Sequence, residues 1–233
     1  YRLARALRKS RELKTIQDNT GQIRPDDILL VSTMRNEKIR LPYFLDYYRD
    51  LGVDHFLLAD NGSQDGTRDY LQGMPDVSLW HSDASYRRAN YGVDWMNALK
   101  RRYAHGHWVL VVDPDELFIS PFCDTRPIRA LTDWLDNSAI RSFAAMLIDV
   151  YSKGRITDAS YQPGPDPLEI ANQFDSPYYT TSPHPTSCNP RLPFFPPARV
   201  PPAHPPTQAH PLHHPPSLPL VTLTASLYTT TPL

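Results

Sequence analysis

The segment WVLVVDPDE, residues 108–116, joins an apolar run directly to a turn with three carboxylates. Five consecutive apolar residues are typical of a strand that is buried on both faces of a parallel sheet. The carboxylates of Asp113, Asp115 and Glu116 would then lie at the carboxyl end of that strand. Because ligands of open α/β sheets bind at this edge, the segment predicts both a fold class and the position of a site.

Apolar runs followed by polar clusters recur earlier in the chain. Strands are expected at 28–33, 55–59 and 77–81, with helical patterns between them. Alternating strands and helices are typical of an α/β fold with a mostly parallel open sheet and helices on both faces. We therefore expect the polar clusters after four strands to meet at one sheet edge. These clusters are residues 34–37, 60–67, 85–90 and 113–116.

Besides a short helix that Thr67 could cap and that carries Tyr70 and Leu71, three longer helices are predicted from apolar residues at helical spacing. The first begins near Pro42 and ends before Gly52, since proline suits the first turn of a helix and glycine its end. The second covers 91–103, and the third surrounds 128–135. A further strand is expected over 142–148.

Composition changes abruptly after Asp175. No acidic residue follows it, the last glycine is Gly164, and most of the 25 prolines lie further on. Such a segment cannot bury enough apolar surface to offset its chain entropy. It reads either as a disordered proline-rich tail or as translation in a shifted frame. The expected organisation is a basic N-terminal helix and linker at 1–26, a folded domain at 27–175 and this tail at 176–233.

Charge argues against nucleic acid as the main partner. The net charge is -1 at pH 7, whereas phosphate backbones are bound by a clear cationic excess. The first turns are locally basic and amphipathic, which fits either a helix leaning on its own domain or peripheral contact with an anionic membrane. No apolar run is long enough to span a bilayer. The sequence predicts a cytoplasmic protein, at most peripheral at the inner face of the membrane.

The carboxylates of 113–116 suit a hard divalent cation. Mg²⁺ and Mn²⁺ take oxygen ligands and commonly share a few carboxylates with substrate phosphates. An acidic turn in which Asp113 caps a helix is the alternative interpretation.

Asp60 and the arginines of the third cluster have two interpretations each. A carboxylate directly after a buried strand must find a partner, and a nucleobase or ribose edge is one candidate for Asp60; a well-formed turn explains the glycines of its loop equally well. Arg87 and Arg88 could neutralise a diphosphate, or they could belong to a solvated basic loop.

The order and spacing of three clusters resemble family 2 glycosyltransferases of the GT-A fold, in particular their bacterial branch. The resemblance covers about 27–175. Its motifs here are Arg35-Asn36-Glu37, Asp60-Asn61-Gly62-Ser63 with Asp65-Gly66-Thr67, and Asp113-Pro114-Asp115-Glu116.

The resemblance implies a nucleotide diphospho-sugar donor, with a UDP-sugar expected, and an unknown glycan, lipid or protein acceptor. It implies that Asp115, with Asp113 nearby, holds Mn²⁺ or Mg²⁺ against the diphosphate. It also implies that Thr33, Arg35 and Glu37 line the nucleoside pocket and that Asp60 meets the base or ribose. Asn61 in the same loop, Arg88 and Asp113 complete the expected donor contacts.

The family inverts at the anomeric carbon, so a base must take the proton of the acceptor hydroxyl. Asp149, after the strand expected over 142–148, is the candidate. The alternative is an ordinary strand-end residue before a turn.

Two other functions stay open. A nucleotidyltransferase or another phosphoryl-transfer enzyme could use a similar sheet edge, although no glycine-rich phosphate loop follows Thr33. An inactive truncated product could bind the nucleotide-sugar without turnover. The signatures of serine hydrolases, P-loop nucleotide hydrolases and dinucleotide-dependent dehydrogenases are missing from the sequence.

Overall fold

A computed structural model describes residues 2–145, 148–153, 160–174, 221–222 and 226–229. Within these residues the chain forms five α-helices and two sheets. In chain order the elements are α1 (Arg2–Lys9), β1 (Lys14–Gln17), β2 (Leu29–Met34), α2 (Leu41–Leu51), β3 (His55–Asp60), α3 (Thr67–Leu71), β4 (Val77–His81), α4 (Val93–Tyr103), β5 (Trp108–Val111), α5 (Ile128–Asn137), β6 (Ser142–Ala144), β7 (Asp149–Val150), β8 (Val221–Thr222) and β9 (Ser226–Thr229).

The larger sheet has the strand order β1-β4-β3-β2-β5-β9-β6. Strands β4, β3, β2 and β5 are parallel to one another, whereas β1 pairs antiparallel with β4, and β9 pairs antiparallel with β5 and β6. The carboxyl ends of the four parallel strands therefore meet at one edge. The predicted α/β class with a mostly parallel sheet is confirmed.

Helices cover both faces of this sheet. Leu30 of β2 belongs to the core on the side of α2, α3 and α5, where Leu45 and Leu135 are fully buried. Its neighbour Val31 belongs to the core on the opposite side, with Leu99 of α4. Successive residues of a strand point to opposite faces, so an uninterrupted apolar run contributes to both cores.

The ends of α2 follow the predicted signals. Pro42 lies in its first turn, and Gly52 ends it with a left-handed φ of +105°. The N–H of Val53 donates to the carbonyl of Tyr48, which closes the helix with a bond typical of glycine-terminated helices. The helices expected over 91–103 and around 128–135 are also present, as α4 and α5.

The N-terminal segment, predicted as helix and linker, also contains the edge strand β1. Its helix α1 leans on α4: Nε of Arg5 lies 2.9 Å from a carboxylate oxygen of Asp94. Just beyond α1, Glu12 accepts a hydrogen bond from the indole N–H of Trp95 at 3.0 Å. None of the helices in the described ranges is long and apolar enough to cross a membrane.

The strand expected over 142–148 is shorter than predicted. It ends as β6 at Ala144, residues 146–147 lie outside the described residues, and Asp149 begins β7. β7 pairs with β8 in a separate two-stranded sheet.

The predicted tail, 176–233, lies outside the described residues except for β8 and β9. β9 lies between β5 and β6 in the larger sheet. These two short strands are additions that the sequence analysis did not foresee.

Candidate ligand cleft at the sheet edge

A cleft of about 340 Å³ lies beyond the carboxyl ends of β2, β3 and β5. This volume is within the range of small-molecule sites. A cavity of about 20 Å³, room for roughly one water, adjoins it and shares Pro114 and Asp115. The residues that line the cleft are Thr33, Met34, Arg35, Glu37, Asn61, Tyr86, Asp113, Pro114 and Asp115. The three clusters that carry the resemblance each contribute to this lining.

The loops after β2 and β3, residues 35–38 and 61–67, are bonded to each other and are called here the loop pair. The N–H of Asn36 donates to the hydroxyl of Ser63 at 2.8 Å, and the Asn36 side chain accepts from the N–H of Gln64 at 2.8 Å. The N–H of Glu37 donates to the hydroxyl of Thr67 at 2.9 Å. These bonds fix the backbone that carries Glu37 into the cleft.

Asp65 stabilises the loop pair through its carboxylate. One oxygen accepts from the N–H and the hydroxyl of Thr67, at 2.9 and 2.6 Å, and the other accepts from the N–H of Lys38 at 3.0 Å. Burial alone would raise the pKa of Asp65, but these hydrogen bonds outweigh it and hold the pKa below its usual value. Asp65 is thus a structural residue.

Asp60 is also structural, because its carboxylate is fully buried. Nδ1 of His81 lies 3.0 Å from it, Nε of Arg68 lies 3.5 Å from it, and the N–H of Ser63 donates to it at 3.2 Å. The partner that a carboxylate at this strand end requires is therefore protein. Asp60 is not among the residues that line the cleft, and its expected contact with a base or ribose stays a prediction.

Asn61 holds the next loop in place while it lines the cleft. Its amide nitrogen donates to the carbonyls of Ser82 and Ala84 at 2.8 and 2.9 Å. The main-chain N–H of Asn61 donates to the carbonyl of Met34 at 2.8 Å. Asn61 therefore ties the ends of β2 and β3 to the chain that leaves β4.

The acid turn, residues 113–116, is closed by Glu116. The N–H of Asp113 donates to the Glu116 carboxylate at 2.9 Å, and the N–H of Glu116 donates back to the Asp113 carbonyl at 3.0 Å. This closure leaves Asp113 and Asp115 as the two carboxylates of the turn that face the cleft.

Both of these carboxylates are unfavourably placed as anions. Enclosure by the cleft walls and the charge of Asp115 raise the pKa of Asp113 to about 6. Asp113 keeps an exposed surface, so this shift reflects dense protein around the carboxylate rather than full burial. Burial raises the pKa of Asp115 as well, although the charge of Arg40 partly offsets it.

Glu37 adds a third acidic group to the cleft. Burial raises its pKa, and its ion pair with Nη1 of Arg40 partly offsets that rise. Within the part of the chain that the structure describes, no three Asp, Glu, His or Cys side chains converge closely enough to hold a metal ion. The oxygen donors of Asp113 and Asp115 nevertheless fit a Mg²⁺ or Mn²⁺ ion that takes its remaining ligands from phosphate and water.

Arg35 supplies a cation to the cleft. It is exposed, and none of the ion pairs among the described residues involves it. Arg88 is exposed too, but it lies outside the cleft lining, and its carbonyl accepts a hydrogen bond from Arg5 at 3.1 Å. Of these two predicted contacts, the geometry favours Arg35.

The expected base, Asp149, does not reach the cleft. It lies in β7, opposite Thr222 in the smaller sheet, and is absent from the cleft lining. The prediction depended on one strand running through 142–148, which the structure divides.

Sequence reasoning missed Tyr86, which lines the cleft, and Gly92, which packs against two lining residues. Burial, together with the charges of Asp113 and Asp115, raises the pKa of the Tyr86 phenol. Gly92 has φ +80°, and a Cβ there would come within 2.9 Å of both Thr33 and Tyr86. The available signals were an aromatic residue within the third polar cluster and a glycine directly before a helix.

Comparisons with known proteins do not assign a family. No family model matches the chain, and no curated protein matches it. Among solved structures, the chain is similar to a crystal structure of 4-diphosphocytidyl-2C-methyl-D-erythritol synthase, with 16% identity and a TM-score of 0.35. The similarity covers 57% of this chain and 65% of the other, so this chain spans slightly less than two thirds of that protein. A likeness at this level carries no argument about function.

Proposed function

We propose that the protein is a metal-assisted glycosyltransferase that uses a nucleotide diphospho-sugar, with a UDP-sugar as the expected donor. The observation that carries the proposal is the composition of the cleft. It combines two acidic groups of raised pKa, Asp113 and Asp115, with the cation Arg35 and the hydroxyl of Thr33. A donor of this class offers a partner to each of these groups.

Each end of the donor would have its own contacts. Asp113 and Asp115 would hold Mn²⁺ or Mg²⁺, and Arg35 would bind a diphosphate oxygen. The metal ion, when bound, neutralises charge on the departing nucleoside diphosphate. The buried hydroxyl of Thr33 has no hydrogen-bond partner within the part of the chain that the structure describes, and a polar edge of the nucleoside would supply one. The ion pair between Glu37 and Arg40 would fix the wall between these contacts.

The proposed acceptor is a hydroxyl group of a glycan, a lipid or a protein. We assign no catalytic base, because Asp149 lies in the smaller sheet. Inversion at the anomeric carbon remains what the family resemblance implies.

Calorimetry with UDP, with and without Mn²⁺, tests donor and metal binding. The parent should bind UDP more tightly with Mn²⁺, and Asp115→Asn should reduce that affinity by more than about tenfold, because loss of even a hydrogen-bond partner of a metal ligand typically costs about that much. Asp133→Asn, on the exposed side of α5, is a matched control and should bind as the parent does. Equal binding by Asp115→Asn and the parent would remove Asp115 from the site.

Product analysis distinguishes the three candidate functions: glycosyl transfer, nucleotidyl transfer, and donor binding without turnover. UDP release from a panel of UDP-sugars supports a glycosyltransferase, while pyrophosphate release from a nucleoside triphosphate supports a nucleotidyltransferase instead. Mn²⁺-dependent UDP binding without either product would identify a protein that binds the donor but does not turn it over.

A further inference from the structure

The ring of Tyr86 is a fixed wall of the cleft. The Tyr86 carbonyl accepts hydrogen bonds from the N–H groups of Ala89 and Tyr91, at 3.1 and 3.0 Å. The ring packs edge-on against Tyr91, with centroids 5.9 Å apart, and lies 6.4 Å from the ring of Trp95, which is fully buried. Tyr86 itself remains 39% exposed, so part of its surface is open to a ligand.

Gly92 allows Tyr86 and Thr33 to share this wall. A Cβ at residue 92 would lie 2.9 Å from Cβ of Thr33 and 2.9 Å from Cε2 of Tyr86. Contacts this short do not occur, so any other residue would displace one of the two side chains. Because glycine has no side chain, the Tyr86 ring and Thr33 can both pack against residue 92.

Thr33 gives an independent sign of a ligand on this wall. It is only 4% exposed, it lines the cleft, and no group among the described residues forms a hydrogen bond with its hydroxyl. Buried hydroxyl groups without partners are uncommon in folded proteins. A ligand with a hydrogen-bonding edge and a flat face would satisfy the threonine and cover the ring together.

We propose that the ring of Tyr86 is the surface on which the nucleobase of the donor stacks, with the hydroxyl of Thr33 bonding a polar group of the same nucleoside. This inference rests on the proposed function, which brings a nucleotide to the cleft. Charged groups of the cleft, Arg35 and the pair Asp113 and Asp115, suit the diphosphate and its metal. Tyr86 supplies the aromatic face that a planar base requires.

Two probes and three variants test the stacking. The probes are UDP with Mn²⁺, which carries a base, and pyrophosphate with Mn²⁺, which does not. Tyr86→Leu should weaken UDP binding roughly tenfold, the usual effect of losing one base–aromatic stack, and leave pyrophosphate binding unchanged. Tyr86→Phe should bind both probes as the parent does. Trp134→Leu, which removes an exposed aromatic ring from α5 outside the cleft, is the control.

Several results would overturn the stacking. Unchanged UDP binding by Tyr86→Leu would place the base elsewhere. A loss in Tyr86→Phe as large as in Tyr86→Leu would assign the effect to the phenolic hydroxyl. If Tyr86→Leu fails to fold, Tyr86→Met replaces it: this variant fills a similar volume without an aromatic face and must bind UDP more weakly than Tyr86→Phe. Failure of the parent to bind UDP with Mn²⁺ would instead contradict the proposed function itself.

Discussion

The loop after β3 and the acid turn after β5 look alike in sequence but differ in their electrostatics. Both place aspartates directly after a buried strand. Asp60, the last residue of β3, and Asp65 of the loop receive hydrogen bonds or ion pairs from neighbouring protein groups. Asp113 and Asp115 of the turn lie close enough for the charge of one to raise the pKa of the other. The partners of an aspartate, rather than its position at a strand end, therefore distinguish a carboxylate that is held by the protein from one that faces the cleft.

This difference has opposite consequences for stability. The charged form of Asp65 is favoured by folding, because its pKa lies below the usual value. The charged form of Asp113 is disfavoured by folding, because its pKa lies above the usual value. The loop pair thus stabilises the fold at neutral pH, whereas the acid turn destabilises it unless a cation is bound.

Asp60→Ala should have the largest effect on stability. It would leave His81 and Arg68 without their buried carboxylate partner, and we expect a loss of about 3 kcal/mol in the free energy of unfolding. Urea denaturation measures this loss. Asp83→Ala removes the exposed carboxylate on the other side of His81 and should cost much less. A stable Asp60→Ala variant with impaired UDP binding would return Asp60 to the ligand site.

Asp65→Ala should have an intermediate effect. It removes the hydrogen bonds to Thr67 and Lys38, and losing a turn or capping side chain of this kind costs about 1 kcal/mol. Denaturation of this variant and of Asp69→Ala, an exposed carboxylate in the first turn of α3, gives a matched comparison. Equal losses in the two variants would mean that the bonds between the loops contribute little.

Asp113→Asn should have an effect of the opposite sign that is no larger than that of Asp65→Ala. In metal-free buffer at pH 7 we expect the variant to be about 1 kcal/mol more stable than the parent. A fully enclosed group with this shift would give roughly 3 kcal/mol, but the exposure of Asp113 lets solvent screen its charge. Thermal unfolding should show a rise of roughly 3 °C. The same variant should lose Mn²⁺-dependent UDP binding.

The pH dependence of this difference fixes its cause. The pKa of Asp113 is about 6 in the folded state and 3.8 ordinarily, so the folded state binds the proton more tightly. The negative charge of Asp113 therefore destabilises the folded parent in full above about pH 6 and not at all below about pH 3.8. The advantage of Asp113→Asn should shrink as the pH falls through this window. A constant advantage would mean that packing, not charge, is responsible.

The sheet was predictable from the sequence because its signals are local. Apolar runs marked β2, β3, β4 and β5, and Gly52 marked the end of α2. The strand order then follows from the usual topology of parallel sheets, and it brings the polar clusters to one edge. Residues from all three sequence motifs therefore line the cleft at this edge.

The roles of single residues were not predictable in the same way. Asp60 depends on His81, which is distant in sequence, and no local pattern gives the 3.0 Å between them. Gly92 is decisive only because of side chains from other elements. The strands β1 and β9 lack a long apolar run, so only their pairing partners define them. The separation of Asp149 from the cleft also leaves no clear sequence signal, because β6 ends at Ala144 and Asp149 pairs with Thr222 in the smaller sheet.

Strand β1 has a consequence for how the protein behaves at high concentration. It covers the outer edge of β4, whose residues Leu79 and Trp80 are apolar and buried. An uncovered edge would offer free N–H and C=O groups to a second chain. β1 is short, its pairing with β4 shifts register between Thr15 and Gln17, and its exposed Lys14 reaches Asp83. Irregularity and charge make such an edge a poor template for intermolecular strand pairing, so this segment protects the sheet against aggregation.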